Sequence, residues 1–294
     1  MIRNRKLAWE ALAIVGLLLG AGGIAAAQST QSGTGGQGQS QPASQQPADK
    51  SKTPDVTPLT LDIPAPASAD EDAAYKVFHE ANMSDASKKI ELGEAFLQKY
   101  PQSRYRPNLY KELSFEYVQI GQVQKMQEYG EKELELTPND VSTLALLGQT
   151  LPRSLRSNTP EPDKVLAKGE HYSKQAIEIT PTLPKPAELT DEQFEKGKNQ
   201  TLAMAHGGLG LVLLRRGKYA DAISELELSL KIDPTPDPVN YYLLGLANKN
   251  ASHFDDAVAA FNKCAAMNGQ MQANCKNGAE DAKKLGSTQL SAPK

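Results

Sequence analysis

The sequence has few of the residue types on which most active sites depend. Of its 294 residues, two are cysteines, four are histidines and one is tryptophan. No two histidines stand four residues apart, and none has a cysteine at ligand spacing, so the pattern predicts no metal site. The chain has no Gly-x-Ser-x-Gly motif and no glycine-rich loop ending in lysine and serine or threonine. These absences favour a protein without a cofactor and without catalytic activity.

The composition also argues against several binding classes and against a sheet. The formal net charge is −3, whereas a general nucleic-acid binder is basic, so we expect no nucleic-acid partner. Aromatic residues make up only 6% of the chain, while alanine, leucine, glutamine, glutamate and lysine are plentiful. This composition favours helices over strands and predicts an all-α fold.

The first 27 residues have the three-part pattern of a secretory signal peptide. The basic stretch MIRNRK precedes an apolar run, and Ala25 and Ala27 frame a small-x-small cleavage site. We expect cleavage after Ala27 and export to the periplasm or the exterior of a bacterial cell. The alternative is an uncleaved anchor, in which case this segment contacts the membrane. The apolar run is slightly short for a membrane span, and its high glycine and alanine content makes it weakly hydrophobic, so cleavage is favoured.

Residues 28–69 are predicted to be a disordered linker. The segment consists mainly of glutamine, serine, glycine and proline, with almost no large apolar residue before Val56. Such a composition buries too little apolar surface to offset the entropy of ordering the chain. The run VTPLTLDIP is the only part of this linker with an apolar pattern that a partner or the folded domain would contact.

From residue 70 onward the chain repeats a helical pattern. Three amphipathic segments end in similar five-residue sequences, LELTP, IEITP and LKIDP, and the proline in each is expected to end the helix. Upstream, Leu-Gly pairs occur at 147–148, 209–210 and 244–245, and Tyr110, His206 and Tyr241 each precede a leucine by three residues.

These features resemble the tetratricopeptide repeat, whose period is about 34 residues. The resemblance implies an α-solenoid of about five helix hairpins closed by a capping helix. Two insertions lengthen the spacing, one between Pro152 and Pro162 and one after Pro181; in the second, Thr190 to Gln193 read as a capping box that starts a long helix. The expected units are residues 70–104, 105–139, 140–182, 190–235 and 238–269, a cap at 270–286 and a flexible tail at 287–294.

The stretch HGGLGL, from His206 to Leu211, has two interpretations. His-Gly-Gly occurs in the oxyanion loops of esterases, but no nucleophile motif accompanies it. In the repeat, His206 takes the packing position of Tyr110 and Tyr241, and Gly210 allows the paired helix to approach closely. We therefore interpret the stretch as scaffold.

The two cysteines are expected to pair. Cys264 lies on the second helix of the last repeat and Cys275 on the capping helix, and an exported chain enters an oxidising compartment. A disulfide would link the capping helix covalently to the last repeat. Two reduced, packed cysteines are the alternative.

The resemblance also implies a concave groove, built from the first helices, that binds protein or peptide partners. An exposed end-face of the first repeat would permit association of two copies. An extended or helical peptide with apolar anchors and some acidic character suits this groove. Its predicted lining is Lys111, Phe115, Val118, Ala145, Gln149, Leu211, Leu214, Arg215, Tyr242, Leu246 and Lys249.

Three functions remain open from the sequence. The first is an exported, non-catalytic interaction scaffold. The second is an accessory factor of cell-envelope assembly or division, favoured by the Tyr-Pro-x-Ser junction in GEAFLQKYPQSRYRPNLYKELSFEY. The third is an enzyme with a site in an insertion, which ranks last because neither insertion contains histidine or cysteine.

Overall fold

Eleven α-helices and one short 3₁₀ turn account for the regular structure of the described residues. The computed structural model describes residues 68–81, 85–233 and 235–290. The predicted signal peptide and nearly all of the predicted linker lie outside these ranges. The helices are α1 Ala69–His79, α2 Ala86–Lys99, α3 Arg106–Gln119, α4 Val123–Leu136, α5 Val141–Ser154, α6 Pro162–Ile179, α7 Asp191–Arg215, α8 Tyr219–Ile232, α9 Pro238–Asn250, α10 Phe254–Ala266 and α11 Gln272–Leu290. The all-helical prediction is confirmed.

Side-chain caps set the starts of several helices. The Asp85 carboxylate accepts a hydrogen bond from the backbone N–H of Lys88, 2.9 Å away, at the start of α2. At the start of α7, the Thr190 hydroxyl accepts from Gln193 N–H, and the Gln193 side chain accepts from Thr190 N–H. Both bonds of the predicted capping box are therefore present, and α7 begins where the sequence indicated.

Tight turns join the two helices of three hairpins, α3 with α4, α7 with α8 and α9 with α10. Gly121, Gly217 and Ser252 occupy the same place, two residues before the second helix begins, with φ of 72°, 73° and 64°. Glycine adopts this left-handed conformation without steric cost, whereas a residue with a Cβ is strained there. Ser252 thus marks a departure from the glycine pattern within an otherwise regular repeat.

The hairpins stack in chain order around continuous apolar clusters. The largest cluster joins α1 to α5 and has Phe78, Leu109, Leu113, Met126 and Leu147 among its buried members. Further along, residues of α7, α8 and α9 form a second cluster. Each helix pair therefore covers the apolar side of its neighbour, as in a repeat array.

The capping helix α11 completes the last hairpin. Phe261 of α10 is fully buried, and Gly278 of α11 approaches it so closely that a Cβ at residue 278 would lie 2.7 Å from its ring. Cys264 and Cys275 form a disulfide with Cα atoms 5.8 Å apart, as predicted. Helix α11 extends to Leu290, past the expected boundary at 286, and the hydroxyls of Ser287 and Thr288 donate to carbonyls four residues earlier within it.

None of the helices in the described ranges combines the length and apolar character that crossing a membrane requires.

Candidate partner-binding surface

The centre of the array is closed by direct contact between α5 and α7. Gly148 and Gly208 lie where the two helices cross, and a Cβ at Gly208 would stand 2.6 Å from the Gly148 carbonyl oxygen. The same Cβ would lie 2.9 Å from the Cα of Gln149. The backbones thus touch at this crossing, and the HGGLGL stretch lies in the middle of a helix, as the scaffold interpretation predicts.

Several residues of the predicted groove lining are buried in the stack. The side chains of Lys111, Phe115, Gln149 and Leu211 are buried, with 6–8% of each residue exposed, and Ala145 is fully buried. Phe115 packs in the first apolar cluster, Leu211 in the second, and Lys111 forms an ion pair with Asp140. These residues stabilise the stack and do not offer free side chains to a partner.

The other predicted groove residues retain accessible surface. Val118, Leu214, Tyr242, Leu246 and Lys249 are half-buried, and Arg215 is exposed. Leu214 and Leu246 both pack against the second apolar cluster, so α7 and α9 present a shared surface. The ring of Tyr242 packs against the ring of Phe261, with ring centroids 5.6 Å apart. We call Leu214, Arg215, Tyr242, Leu246 and Lys249 the α7–α9 surface.

A group of three arginines lies where α5 and α7 end. Leu155, directly after α5, packs with Val212 of α7, which brings Arg156 and Arg215 to the same end of the two helices. Arg153, in the last turn of α5, reaches across to α9. Its guanidinium donates to Asp237 at 2.9 Å and to Asn240 at 3.2 Å. We call Arg153, Arg156 and Arg215 the arginine cluster.

Positive charge in the arginine cluster exceeds the available negative charge. Arg156 donates to the carbonyls of residues 153, 154 and 155, and within the described ranges neither Arg156 nor Arg215 has a carboxylate at ion-pair distance. Asp237 is the acid paired with Arg153, whose Nε is buried without a hydrogen-bond partner among the described residues. Partial burial lowers the pKa of Arg215, and the charge of Arg156 lowers it further.

The repeat pattern did not indicate Arg153 and Arg156 as members of a binding surface. Both belong to the insertion expected inside a repeat, between Pro152 and Pro162, whereas Pro152 and Arg153 lie in the last turn of α5. The available signal was the charge pattern itself. In PRSLRSNTPEP, two arginines stand three residues apart and no acid follows until Glu161.

A buried ionic network ties the first hairpin to the second. Lys89 of α2 is 2% exposed, and its Nζ lies 2.8 Å from Glu112 and 3.6 Å from Glu116, both on α3. His79 Nδ1 lies 3.0 Å from the other oxygen of Glu112. Burial raises the pKa of Glu116. Burial acts the same way on Glu112, but the hydrogen bond to His79 and the charge of Lys89 outweigh it and hold its pKa low.

A second buried acidic pair lies between the second and third hairpins. Asp140 caps α5 by accepting from Thr143 N–H, and it pairs with Lys111 at 2.7 Å. Glu133 is 1% exposed and accepts a hydrogen bond from Thr137, while its second oxygen has no partner among the described residues. Burial, reinforced by the negative charge of Asp140, raises the pKa of Glu133 to about 7.

The Glu133→Gln variant is expected to change the pH dependence of stability. Because the pKa of Glu133 is raised from 4.5 to about 7 in the fold, the folded chain binds the proton more tightly than the unfolded chain does. The resulting stabilisation is complete below the unfolded pKa and is lost as the pH rises through about 7. Wild type should therefore lose about 1–3 kcal/mol relative to the variant between pH 5 and pH 8.

Urea unfolding at the two pH values measures this difference. Glu135→Gln, an exposed change on the same helix, is the control and should follow wild type at both. Parallel pH profiles for wild type and Glu133→Gln would contradict the assigned pKa.

Among the described residues, no group of three or more histidine, cysteine, aspartate or glutamate side chains has the arrangement of a metal site. His206, considered above for its His-Gly-Gly context, lies 2.6 Å from Glu225 of the paired helix α8 and is mostly buried. That pair joins the two helices of one hairpin, which is a structural use of the histidine.

A comparison with protein families agrees with the repeat pattern in the last hairpin. The tetratricopeptide repeat family model matches residues 239–270, which include α9 and α10. No curated protein sequence matches the chain. Among solved structures, the chain is similar to the crystal structure of a thermophilic TPR protein from Thermus thermophilus, with 17% identity and a TM-score of 0.45. That similarity covers 76% of this chain and 100% of the other.

Proposed function

We propose that this chain is an exported, non-catalytic scaffold that binds protein or peptide partners on its α7–α9 surface, because the tetratricopeptide repeat model matches residues 239–270 and the described residues form stacked helix pairs. The repeat family supports the general role of protein interaction. Export, the partner's nature and the place of binding are the parts that this proposal adds.

The observation that carries the proposal is the half-buried state of Tyr242, Leu246 and Lys249. All three lie on α9, the first helix of the hairpin that the family model matches. An aromatic and a leucine held in place by packing, beside a cation, combine rigid apolar anchors with a polar contact. Side chains three or four residues apart on one helix form a continuous stripe, to which an extended or helical peptide can bind.

Export is supported by two independent features. The N-terminal residues follow the signal-peptide pattern, and the disulfide between Cys264 and Cys275 suits an oxidising compartment outside the cytoplasm.

Cross-linked affinity capture from native cell-envelope extract tests the proposal. The bait is the chain from Gln28 onward, compared with a variant in which Tyr242, Leu246 and Lys249 are alanine. We expect wild type to capture a defined set of proteins that the variant loses. Because Tyr242 packs on Phe261, a second variant, Lys249→Glu, probes the surface without removing apolar packing.

A matched control carries Tyr219→Ala, Leu228→Ala and Lys231→Ala on α8, where Leu228 is 42% exposed. Circular dichroism verifies that every variant remains helical. Capture of the same proteins by wild type and by the folded α9 variants would place the interaction elsewhere and contradict the proposal.

A further inference from the structure

Arg156 and Arg215 of the arginine cluster lie at the neighbouring ends of α5 and α7, and neither has a carboxylate at ion-pair distance within the described ranges. The Arg153 side chain extends to the start of α9, where it pairs with Asp237. We propose that the arginine cluster binds an acidic segment of the protein partner. This inference rests on the proposed function, because it names the chemistry of the partner at one end of the α7–α9 surface.

The three arginines differ in how they are held. Arg153 is fixed by Asp237 and Asn240 across the stack, over a sequence separation of more than eighty residues. The Nη1 group of Arg156 donates hydrogen bonds to three backbone carbonyls at the end of α5. The other N–H groups of this guanidinium remain available to a ligand. Arg215 has no hydrogen bond to a carboxylate in the described ranges. Two of the guanidinium groups are therefore held before a ligand arrives, which reduces the entropy cost of binding.

The chemistry of the cluster matches carboxylates. A guanidinium presents paired N–H donors that fit the two oxygens of a carboxylate, and its charge does not depend on pH in the physiological range. Leu214 neighbours Arg215 and packs toward Leu246, so apolar surface adjoins the charge. An acidic peptide with apolar residues would satisfy both features.

A protein segment fits these observations better than a nucleic acid does. The positive residues form a short group and not a stripe that follows a phosphate backbone, and the whole chain is acidic, with a formal net charge of −3. Glu161 lies beside α6 and pairs with Lys164, and Glu170 lies on α6 and pairs with Arg216. These two carboxylates are therefore engaged by other cations and do not compensate the charge of the arginine cluster.

Fluorescence anisotropy with a defined probe tests the inference. The probe is a short fluorescein-labelled peptide of alternating glutamate and leucine, and its counterpart replaces every glutamate with glutamine. The full chain, purified from an exporting host, should bind the glutamate peptide and bind the glutamine peptide at least about tenfold more weakly. Double replacement by Arg156→Gln and Arg215→Gln should weaken binding of the glutamate peptide by a similar factor.

The control removes the same charge elsewhere. Lys276→Gln and Lys283→Gln are exposed changes on α11, and they should leave the affinity within about twofold of wild type. Equal affinity of the arginine variant and wild type would overturn the inference, as would an equal loss in the lysine control, which would indicate unspecific attraction.

Two further outcomes separate this inference from the proposed function. If native capture depends on the α9 residues while the glutamate peptide binds independently of Arg156 and Arg215, the scaffold proposal stands and the arginine assignment is wrong. Cross-links from position 215 to residues 49–62 of the same chain, which contain Asp49, Asp55 and Asp62, would assign the cluster to an internal segment and overturn the partner assignment.

Discussion

Changing Gly208 to alanine is expected to destabilise the domain by about 2–3 kcal/mol, although alanine is normally the better helix residue. The reason is the crossing of α5 and α7, where the added Cβ would lie 2.6 Å from a backbone oxygen and 2.8 Å from a backbone carbon of Gly148. A backbone segment cannot rotate away as a flexible side chain can. The two helices must therefore separate, and the contacts around the crossing weaken together.

Gly286→Ala is the matched control for this change. Residue 286 is also a helical glycine, but a Cβ there would lie 3.2 Å from the side chain of Phe254, near the end of α11. We expect its unfolding free energy to stay within about 1 kcal/mol of wild type, with the gain in helix propensity offsetting the tighter contact. Urea unfolding followed by circular dichroism compares the two variants. An unchanged midpoint for Gly208→Ala would show that the crossing is looser than described.

Changing Lys89 to methionine is expected to cost about 3–5 kcal/mol of unfolding free energy at neutral pH. Methionine fills a similar volume, so the loss arises from charge. Glu112 and Glu116 remain buried between α2 and α3 without the ammonium group that now lies 2.8 Å and 3.6 Å from them. Removal of one member of a buried ionic network leaves the others uncompensated in a medium of low polarity.

The neighbouring residue provides the control for Lys89. Lys88 pairs with Glu91 on the exposed side of the same helix, and Lys88→Met should change stability by less than about 1 kcal/mol. The Lys89→Met defect should also shrink at acidic pH, where the two carboxyl groups take up protons. A defect of equal size at pH 4 and pH 7 would assign the loss to packing and not to charge.

Local signals in the sequence were sufficient to predict the elements of the fold. The capping box at Thr190 predicted the start of α7. The disulfide was also accessible to sequence reasoning, because two cysteines lay on consecutive helices. Each of these signals depends on residues close together in the chain or on the repeat period.

The binding surface was harder to predict, because it depends on how closely neighbouring hairpins pack and therefore on which side chains become buried between them. The repeat pattern places Lys111 in the groove, yet its ammonium group turns to Asp140, twenty-nine residues later in the chain. The contact of Gly148 with Gly208 spans two insertions of irregular length, which no local pattern encodes. Conversely, Arg153 and Arg156 fall outside the repeat pattern, and the structure places Arg153 in the last turn of α5 and Arg156 directly after Leu155.

The most direct test of the account is photo-cross-linking in living cells of the producing organism. A photoreactive amino acid is placed at position 246, on the α7–α9 surface, and in a second strain at position 228, an exposed leucine of α8. The account predicts a discrete adduct with a partner protein from position 246, enriched in the exported fraction, and no such adduct from position 228. Adducts from position 228 alone, or the same pattern from both positions, would contradict it.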